Sequence, residues 1–360
     1  MITAPAVKRR ARELGFDLCG IAAADAFPEL ARLPEWLAAG RAGEMVYLHK
    51  SAATRADIRA FLPAARSVIV TGTYYNVDET LRTAARDEPP DRAVVARYAR
   101  GRDYHVVLAE RLDALVAWMR EQAGADHPVE AAIFVDKHHV QERVYAARAG
   151  LGWVGKNTCV INPARGSWFF IAGVACSEPL DPDPPVTDHC GACTLCLDAC
   201  PTGALVEPFV LDATRCIAYL TIELAGPIPE PLRPAIGPHV FGCDICQEVC
   251  PWNLAPLPSA DAAWQPRGGR DAAEAGELWT RTDQELHAFV EDSALLHTSL
   301  ARLRRNLAVV IGNSADARLA EALEQPGRGV RNAAHSASTP LVRDHVSWAR
   351  RRLAGGPEPV

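Results

Sequence analysis

The chain has 360 residues, of which 49% are hydrophobic and 23% are charged, and its net charge is −6 at pH 7. This length allows one to three domains with a sizeable core, and the composition is ordinary for a globular protein. No segment approaches the roughly 18 uncharged apolar residues of a membrane span, and the N-terminus shows no apolar export segment, with or without a twin arginine. We therefore expect a cytoplasmic protein that makes no membrane contact.

Helical and strand-like patterns alternate before the first cysteine cluster. The first 60 residues read as helices, and "APAVKRRARELGF" ends before Gly15. An amphipathic helix over 103–124 has an apolar face of Leu108, Leu112, Leu115 and Met119, and another helix covers 141–152. β-branched and aromatic residues predict strands at 67–75, at the end of 127–136 and at 167–176. This order predicts an α/β or α+β domain over residues 1–178.

Eight of the 11 cysteines lie between Cys190 and Cys250. In a reducing compartment such clustering indicates metal binding rather than disulfides. The stretch "CGACTLCLDACP" (190–201) has the CxxCxxCxxxCP spacing of a bacterial 4Fe–4S ferredoxin, and "CDICQEVCP" (243–251) repeats it with one cysteine fewer. Residues 179–258 are therefore expected to form a ferredoxin-like domain with two 4Fe–4S clusters.

The spacing also assigns the ligands, because in two-cluster ferredoxins the cysteine before proline ligates the other cluster. One cluster takes Cys190, Cys193, Cys196 and Cys250, and the other takes Cys200, Cys243 and Cys246. The fourth ligand of the second cluster is assigned to Cys216, the one remaining cysteine that lies between the two motifs. Three cysteines in apolar or small-residue surroundings are expected to be buried small hydrophobic residues: Cys19, Cys159 and Cys176.

Two other interpretations of the cysteines compete with an electron-transfer role. CxxC pairs also occur in structural zinc sites, although the double CP-terminated motif is much more specific for iron–sulfur clusters. Clusters that only hold the fold together are the second alternative. Two clusters in series favour electron transfer over both.

The C-terminal part begins with a proline- and alanine-rich connector and returns to helical periodicity after residue 300. Residues 259–360 are expected to form a linker followed by a HEAT-like helical repeat. Its segment 300–355 is basic, because it has only four acidic residues and ten arginines: Arg302, Arg304, Arg305, Arg318, Arg328, Arg331, Arg343, Arg350, Arg351 and Arg352. This charge fits either a polyanion site or a solvated arginine-rich face.

The order of several motifs resembles the epoxyqueuosine reductase family over roughly residues 10–350. The motifs are "EMVYL" (44–48), "RADIRAFLPAARSVIV" (55–70), "YARGRDYH" (98–105), "RAGLGWVGKNTCVINPARGSWFF" (148–170), the two cysteine motifs and "RRNLAVVIGNS" (304–314). The resemblance implies a cobalamin-dependent enzyme with two 4Fe–4S clusters, whose helical repeat contacts tRNA. It implies reduction of epoxyqueuosine to queuosine at the tRNA wobble position, with electrons from an external donor. We expect a monomer.

The resemblance also implies a proton donor, which the family places at the end of a strand in a D-[ST]-[AG]-P-hydrophobic-x-E-R motif. The matching stretch is "FVDKHHVQER", so Asp136 aligns as the acid; its structural alternative is a helix N-cap. Lys137, His138 and His139 depart from the motif. They could narrow the pocket, lower the pKa of Asp136, supply another proton donor or mark a different substrate. A metal site at the two histidines lacks a third ligand nearby.

The cobalamin contacts that the resemblance implies are Arg59, Tyr98, Lys156, Asn157, Ser167 and Asp244. No GxGxxG fingerprint follows a strand, so no direct NAD binding is expected. The alternatives are a corrinoid reductive dehalogenase, a ferredoxin fused to a scaffold, and an RNA-binding module with structural clusters. Dehalogenases typically have an export signal and lack the arginine-rich repeat, whereas cobalamin binding would separate an enzyme from an RNA-binding module.

Overall fold

The computed structural model describes residues 2–77, 91–254, 257–316, 318–324 and 335–355. Its strands are β1 (Leu18–Ala23), β2 (Ser67–Tyr74), β3 (Val94–Val95), β4 (Ala131–Phe134), β5 (Trp153–Val154), β6 (Val160–Ile161), β7 (Phe169–Cys176), β8 (Leu205–Glu207), β9 (Val210–Leu211) and β10 (His239–Phe241). Its α-helices are α1 (Ala4–Glu13), α2 (Arg32–Ala38), α3 (Val46–Arg55), α4 (Ile58–Phe61), α5 (Tyr104–Ala123), α6 (Glu142–Arg148), α7 (Leu195–Asp198), α8 (Ile217–Ile222), α9 (Arg233–Ile236), α10 (Ile245–Glu248), α11 (Ala275–Thr280), α12 (Asp283–Val290), α13 (Leu300–Asn313), α14 (Arg318–Ala322) and α15 (Pro340–Leu353). Among these described helices none is long and apolar enough to cross a membrane.

A four-stranded sheet in the order β1-β2-β7-β4 organises the N-terminal half. All three of its strand pairs are antiparallel, and β2 pairs with β7 along its whole length. Side chains alternate between its faces: Ile69 packs into the core that contains α1 and α5, whereas Val68 and Val70 pack into the core that contains α6. The antiparallel pairing makes this half α+β, which is one of the two predicted classes.

Most of the predicted elements are confirmed. The predicted apolar face of α5 is buried throughout, and Gly124 ends this helix at a φ of 77°. The expectation that the first 60 residues are helical is wrong at β1. This strand is rich in alanine and glycine, which have low intrinsic β propensity, and its conformation is imposed by pairing with β2. Gly20 permits close packing there, because a Cβ at this position would lie 2.0 Å from the Ala149 carbonyl oxygen.

The C-terminal helices share a core with the segment that follows the first cysteine motif. Helix α13 packs against α15 and α11, and it also contacts α8 and β10. One continuous apolar cluster therefore joins residues 213–241 to residues 273–349. This packing fixes the cysteine-rich region against the C-terminal helices.

A buried arginine in α13 holds this junction together. The Arg305 side chain is fully buried, and its guanidinium donates to the backbone carbonyls of Leu220, Leu224 and Gly226, each at 2.7 Å. In the sequence, Arg305 is one of the ten arginines that could form a polyanion-binding surface. Its hydrogen bonds are internal, so it acts as a structural cross-link between α13 and the loop after α8.

We expect Arg305→Met to destabilise the fold by roughly 3 kcal/mol or more, because the three carbonyl oxygens lose their donor inside the core. The matched control is Arg318→Met, since the Arg318 side chain is 87% exposed. Thermal melting of the cluster-loaded proteins at one scan rate compares them. Equal melting temperatures for the two variants would contradict the cross-linking role of Arg305.

Candidate active site and metal centres

A cavity with a volume of about 1040 Å³ lies between the N-terminal sheet and the cysteine-rich region. Small-molecule sites usually occupy about 300–1,000 Å³, so this cavity suits a large ligand. Aromatic side chains form much of its wall: Trp36, Tyr75, Tyr98, Tyr104, Trp153, Phe169 and Phe170. Arginines supply positive charge: Arg32, Arg55, Arg143 and Arg148.

Asp136 lies on the wall of this cavity, two residues after β4. Its side chain is 61% exposed, and its backbone adopts a φ of 49°. This left-handed conformation is uncommon outside glycine, although aspartate tolerates it better than most residues. The residue before α6 is Gln141, so the alternative in which Asp136 caps that helix is wrong. The strained loop instead directs the carboxylate into the cavity.

Two neighbouring residues at the start of α5 bind the Asp136 carboxylate. The Tyr104 hydroxyl donates to Oδ2 at 2.6 Å, and His105 Nε2 lies 3.3 Å from the same oxygen. The protein around the cavity partly desolvates Asp136 and opposes its ionisation even though the side chain is exposed to the cavity, but the hydrogen bonds from His105 and Tyr104 outweigh this effect and lower its pKa. The resting site therefore keeps Asp136 as a carboxylate, with the Tyr104 hydroxyl and the His105 ring beside it.

Glu142, the first residue of α6, also lines the cavity and contacts the same loop. The backbone N–H of Asp136 donates to Glu142 Oε1 at 2.5 Å. Burial, assisted by the negative charge of Asp136, raises the pKa of Glu142 to about 8. The cavity wall thus carries two adjacent carboxyl groups with opposite tendencies, one ionised and one neutral at pH 7.

The raised pKa of Glu142 predicts a pH-dependent stability. The folded protein holds this proton up to about pH 8, whereas the ordinary value is 4.5, so the folded state binds more protons in between. Stability therefore falls as pH rises from about 4.5 to about 8. We expect Glu142→Gln to remove this decline, so that the variant melts higher than the parent at pH 8 and close to it at pH 5. A variant that melts lower than the parent at pH 8 would contradict this protonation state.

The three residues that depart from the family motif do not line the cavity. Lys137 and His139 are exposed, and His138 is half-buried. The His138 ring turns back to accept a hydrogen bond from the Val135 N–H at 3.0 Å and packs edge-on against Phe61. The loop therefore presents Asp136 to the cavity while the unusual side chains point elsewhere.

The cysteines of the first predicted cluster lie together. Burial, together with the nearby thiols of Cys190, Cys196 and Cys193, raises the pKa of Cys250 to about 11. Cys250 packs in a small apolar cluster with Trp153 and the half-buried Cys190. The structure thus brings the last cysteine of the second motif to the first three cysteines of the first motif.

The remaining predicted ligands form a second group. Cys243 lies within electrostatic range of Cys216 and Cys200, and Cys246 within range of Cys243 and Cys216. Cys216 directly precedes α8, at the end of a short 3-10 turn. Four cysteines from three chain segments therefore meet at this point.

Cys159 also lies in the second group, which the sequence did not predict. Its thiol lies beside that of Cys246, and the residue is only partly exposed. Cys159 was expected to be a buried small hydrophobic residue; it is partly buried, and its position beside Cys246 was not expected, because it lies outside both cysteine motifs. Cys176 is buried and Cys19 is partly buried in the N-terminal core, as expected.

Tyr98 is the one residue among the six predicted cobalamin contacts that lines the cavity. Its ring lies 6.0 Å from that of Tyr104 and 6.2 Å from that of Phe241, so it connects the Asp136 side of the cavity to β10. Arg59 does not line the cavity and instead pairs with Asp57 at 3.0 Å on the exposed start of α4.

Lys156 and Asn157 join the cavity loop to the cysteine motifs. Lys156 Nζ donates to the Gly191 carbonyl at 2.7 Å and to the Cys193 carbonyl at 2.9 Å. Asn157 Nδ2 donates to the Cys246 carbonyl at 3.2 Å. One loop therefore touches the backbone of both cysteine groups.

Ser167 and Asp244 make similar links behind the cavity wall. Ser167 Oγ donates to Gln247 at 2.9 Å and accepts from Asn253 Nδ2 at 2.9 Å. Asp244 Oδ2 accepts from the Arg97 N–H at 2.8 Å, next to Tyr98. These two residues position the second cysteine motif against the cavity wall without lining the cavity.

The predicted arginine-rich surface is smaller in the structure than in the sequence. Arg304 and Arg305 are fully buried, and Arg302 donates to the Ile222 carbonyl at 2.9 Å. Arg328 and Arg331 lie outside the described residues. On the surface, acidic partners bind three arginines: Arg318, Arg350 and Arg351. The C-terminal charge is thus partly structural.

Sequence reasoning missed the residues that surround Asp136. Tyr104 and His105 belong to the quoted motif "YARGRDYH", which was a usable signal, but no role was assigned to them. His297 lies 3.1 Å from His105 although 192 residues separate them, and no sequence pattern indicates this contact. The only sequence signal for Glu142 was its place as the glutamate in the motif that begins at Asp136.

Comparison with protein families gives two matches. Residues 55–137 match the model of "Epoxyqueuosine reductase QueG, DUF1730", and residues 189–253 match that of a "4Fe-4S double cluster binding domain". An epoxyqueuosine reductase of Pseudomonas aeruginosa is 42% identical over 97% of this chain and 94% of its own length. One from Escherichia coli is 37% identical over 95% of this chain and 87% of its own length.

Two similar solved structures are also epoxyqueuosine reductases. A crystal structure of epoxyqueuosine reductase with an epoxyqueuosine-modified tRNA-Tyr stem loop has a TM-score of 0.84 and 28% identity, covering 97% of this chain and 89% of that one. A Bacillus subtilis epoxyqueuosine reductase, solved with its catalytic aspartate loop swung out of the active site, has a TM-score of 0.83 and 28% identity. It covers 97% of this chain and 90% of that one.

Proposed function

This chain belongs to the epoxyqueuosine reductase family, a family of oxidoreductases with a double 4Fe–4S domain, and from that premise we propose that it reduces epoxyqueuosine in tRNA to queuosine. The observation that supports this most strongly is the position of Asp136. It lies in a cavity for a large ligand, bordered by loops that also bind both cysteine groups.

The overall reaction sets what the site must provide. An epoxide becomes an alkene when both of its C–O bonds break and a C–C π bond forms. Two electrons and two protons enter, and the oxygen leaves as water. The site therefore needs a source of single electrons, a reductant beside the ring and a proton donor beside the departing oxygen.

The two clusters are proposed to supply the electrons. Cys190, Cys193, Cys196 and Cys250 would hold the first, and Cys200, Cys216, Cys243 and Cys246 the second, as thiolates. The second group lies beside the cavity, because Cys159 contacts Cys246 and the preceding residue, Thr158, lines the cavity wall. Electrons from an external donor would pass from the first cluster to the second and then into the cavity.

Cobalamin is the reductant that this cavity is proposed to bind. The large volume and the aromatic wall suit a flat macrocycle, and the arginines suit its polar substituents. Tyr98 would contact it directly, while Lys156, Asn157, Ser167 and Asp244 would hold the surrounding loops in place. Arg59 has less support, because it pairs with Asp57 outside the cavity wall. When bound, cobalamin supplies a low-valent cobalt centre for reduction.

Asp136 is proposed to donate a proton to the departing oxygen. The Tyr104 hydroxyl orients its carboxyl group, and the backbone hydrogen bond to Glu142 fixes its loop. In the resting protein Asp136 is a carboxylate, so it must take up a proton before each transfer. His105 can provide it, because its ring contacts Asp136 Oδ2 and its pKa is raised.

tRNA is the proposed macromolecular partner, by analogy with the relative solved with a modified stem loop. The proposed domains are a cobalamin-binding domain over residues 1–178, a ferredoxin-like domain over 179–258, and a linker with a HEAT-like repeat over 259–360. The repeat is proposed to contact tRNA. The surface arginines of α15 are available for phosphate contacts after exchange of their acidic partners. The protein is proposed to act as a monomer in the cytoplasm.

Complementation tests this function in a cell. The gene is expressed in a bacterium that lacks its own epoxyqueuosine reductase and is supplied with cobalamin, and nucleosides from its tRNA are analysed by mass spectrometry. We expect queuosine to appear as epoxyqueuosine disappears. Persistence of epoxyqueuosine, with soluble cluster-loaded protein in the same cells, would contradict the proposal.

A further inference from the structure

The proposed function, on which this inference rests, consumes two protons per epoxide, whereas Asp136 is a carboxylate at rest and can carry only one proton at a time. The substrate must remain in the cavity until the second C–O bond breaks. Asp136 lines the cavity that the substrate and cofactor would occupy, so contact with bulk water is lost when both are bound. A second route to Asp136 through the protein is therefore required.

A chain of polar groups leads away from Asp136 behind the cavity wall. His105 Nε2 lies 3.3 Å from Asp136 Oδ2, and His105 Nδ1 lies 3.1 Å from His297 Nε2. Asp103 holds both rings, with Oδ1 at 2.8 Å from His105 Nδ1 and Oδ2 at 3.2 Å from His297 Nε2. Every step in this chain is within or close to hydrogen-bond distance.

The two ends of the chain face different spaces. Asp136 lines the cavity, whereas His105, Asp103 and His297 do not. The His105 and Asp103 side chains are 11% and 9% exposed, while His297 is 32% exposed. The chain therefore begins at the cavity, passes through two nearly buried groups and reaches solvent at His297.

We propose that His297 and His105, held in place by Asp103, form a proton relay that reloads Asp136 from solvent while the substrate fills the cavity. His105, protonated on both ring nitrogens at rest, gives the proton on Nε2 to Asp136 Oδ2, and Asp136 gives it to the departing oxygen. The neutral His105 ring then exchanges its remaining proton from Nδ1 to Nε2, which frees Nδ1 to accept a proton from His297 Nε2. Solvent reprotonates His297, so one proton enters for each proton used and no redox change occurs in the relay.

The charges around the relay favour this direction. Burial opposes protonation of His105, but hydrogen bonds to Asp103 and Asp136 and their negative charges raise its pKa. Tyr104 faces the same carboxylate as a neutral donor, because burial raises its pKa well above the ordinary value. Glu223, whose own pKa is raised by burial, interacts electrostatically with both His297 and Asp136. A protonated His105 beside an ionised Asp136 is therefore the resting state.

The same three side chains match the donor set of a divalent metal site, since their ligand atoms all lie within 4.8 Å of one another. The chemistry of the reaction favours the relay, because the site needs protons and already receives electrons from elsewhere. A metal on His105 Nδ1 would block proton entry at that atom. The two interpretations therefore exclude each other and can be separated by experiment.

The test compares His297→Ala with His287→Ala, a control at an exposed histidine of α12. Fully loaded, pre-reduced enzyme converts epoxyqueuosine tRNA in a single turnover, so that electron supply does not limit the rate. We expect His297→Ala to slow conversion about tenfold or more without changing the tRNA concentration that gives half of the maximal single-turnover rate. Imidazole in the buffer should restore the rate in proportion to its protonated fraction. An unchanged rate, or a loss that imidazole does not restore, would overturn the relay.

Two further measurements do not depend on turnover. In histidine-labelled, cluster-loaded protein, NMR titration should show His105 with a pKa above about 6.5 that falls in Asp136→Asn. A His105 pKa below about 6.5 would overturn the relay, whether or not the wild-type protein is active. Absence of reductase activity in the wild type would count against the proposed function alone. If the wild-type protein binds one equivalent of zinc and His297→Ala does not, these residues form a metal site and not a proton relay.

Discussion

Asp136→Asn is expected to slow epoxide reduction by about 10²–10⁴-fold while leaving both clusters and cobalamin bound. Asparagine keeps the shape of the side chain and accepts the hydrogen bond from Tyr104, but it cannot carry the transferable proton. The rate is measured in a single turnover with pre-reduced enzyme. Iron content and cobalamin absorbance are measured on the same preparation.

Lys137→Gln is the matched control for this variant. Lys137 is the next residue in the same loop, but its exposed side chain does not line the cavity. We expect its activity to stay within about twofold of the parent, since surface changes of this kind have small effects. Near-normal activity in Asp136→Asn, or an equal loss in both variants, would remove Asp136 from the role of acid.

Cys216→Ser is expected to remove the second cluster and abolish turnover. The variant should retain about half of the parent's iron, because the first cluster keeps all four proposed thiolates. Without the second cluster, electrons would have no carrier beside the cavity. Iron and sulfide analysis gives the stoichiometry, and EPR of the reduced protein shows whether one cluster signal or two remain.

Cys159→Ser provides the control, because Cys159 lies in the same group and contacts Cys246. We expect it to keep the full iron content, since the four other cysteines complete the site. If Cys159→Ser loses a cluster while Cys216→Ser keeps both, Cys159 is the fourth ligand. That outcome would correct the assignment without changing the number of clusters.

The sequence predicts those elements whose pattern is local. The buried face of α5 follows from its own apolar spacing, and β2 and β7 are recognised by their β-branched and aromatic residues. Strand β1 is not predicted from the sequence, because its alanines and glycine have no preference for strands. It forms through pairing with β2. The order of strands in the sheet is likewise a property of packing rather than of any one segment.

The cysteine groups are the part of the site that sequence predicts best, because ferredoxin spacing reflects how a short loop surrounds a cluster. The neighbours of Asp136 show the limit of such reasoning. His297 reaches His105 only because α13 and the preceding loop fold back onto the start of α5. Burial also decides which carboxyl group is neutral, and no local pattern distinguishes Glu142 from an ordinary surface glutamate.

This chain is proposed to remove the epoxide oxygen from a nucleoside in tRNA. The most direct measurement combines the protein, loaded anaerobically with both clusters and cobalamin, with a strong reductant and epoxyqueuosine tRNA. Mass spectrometry then compares the modified nucleoside before and after reaction. We predict that it loses the mass of one oxygen atom, with cobalamin required for the change. An unchanged nucleoside, despite full occupancy of the clusters and cobalamin, would contradict the account.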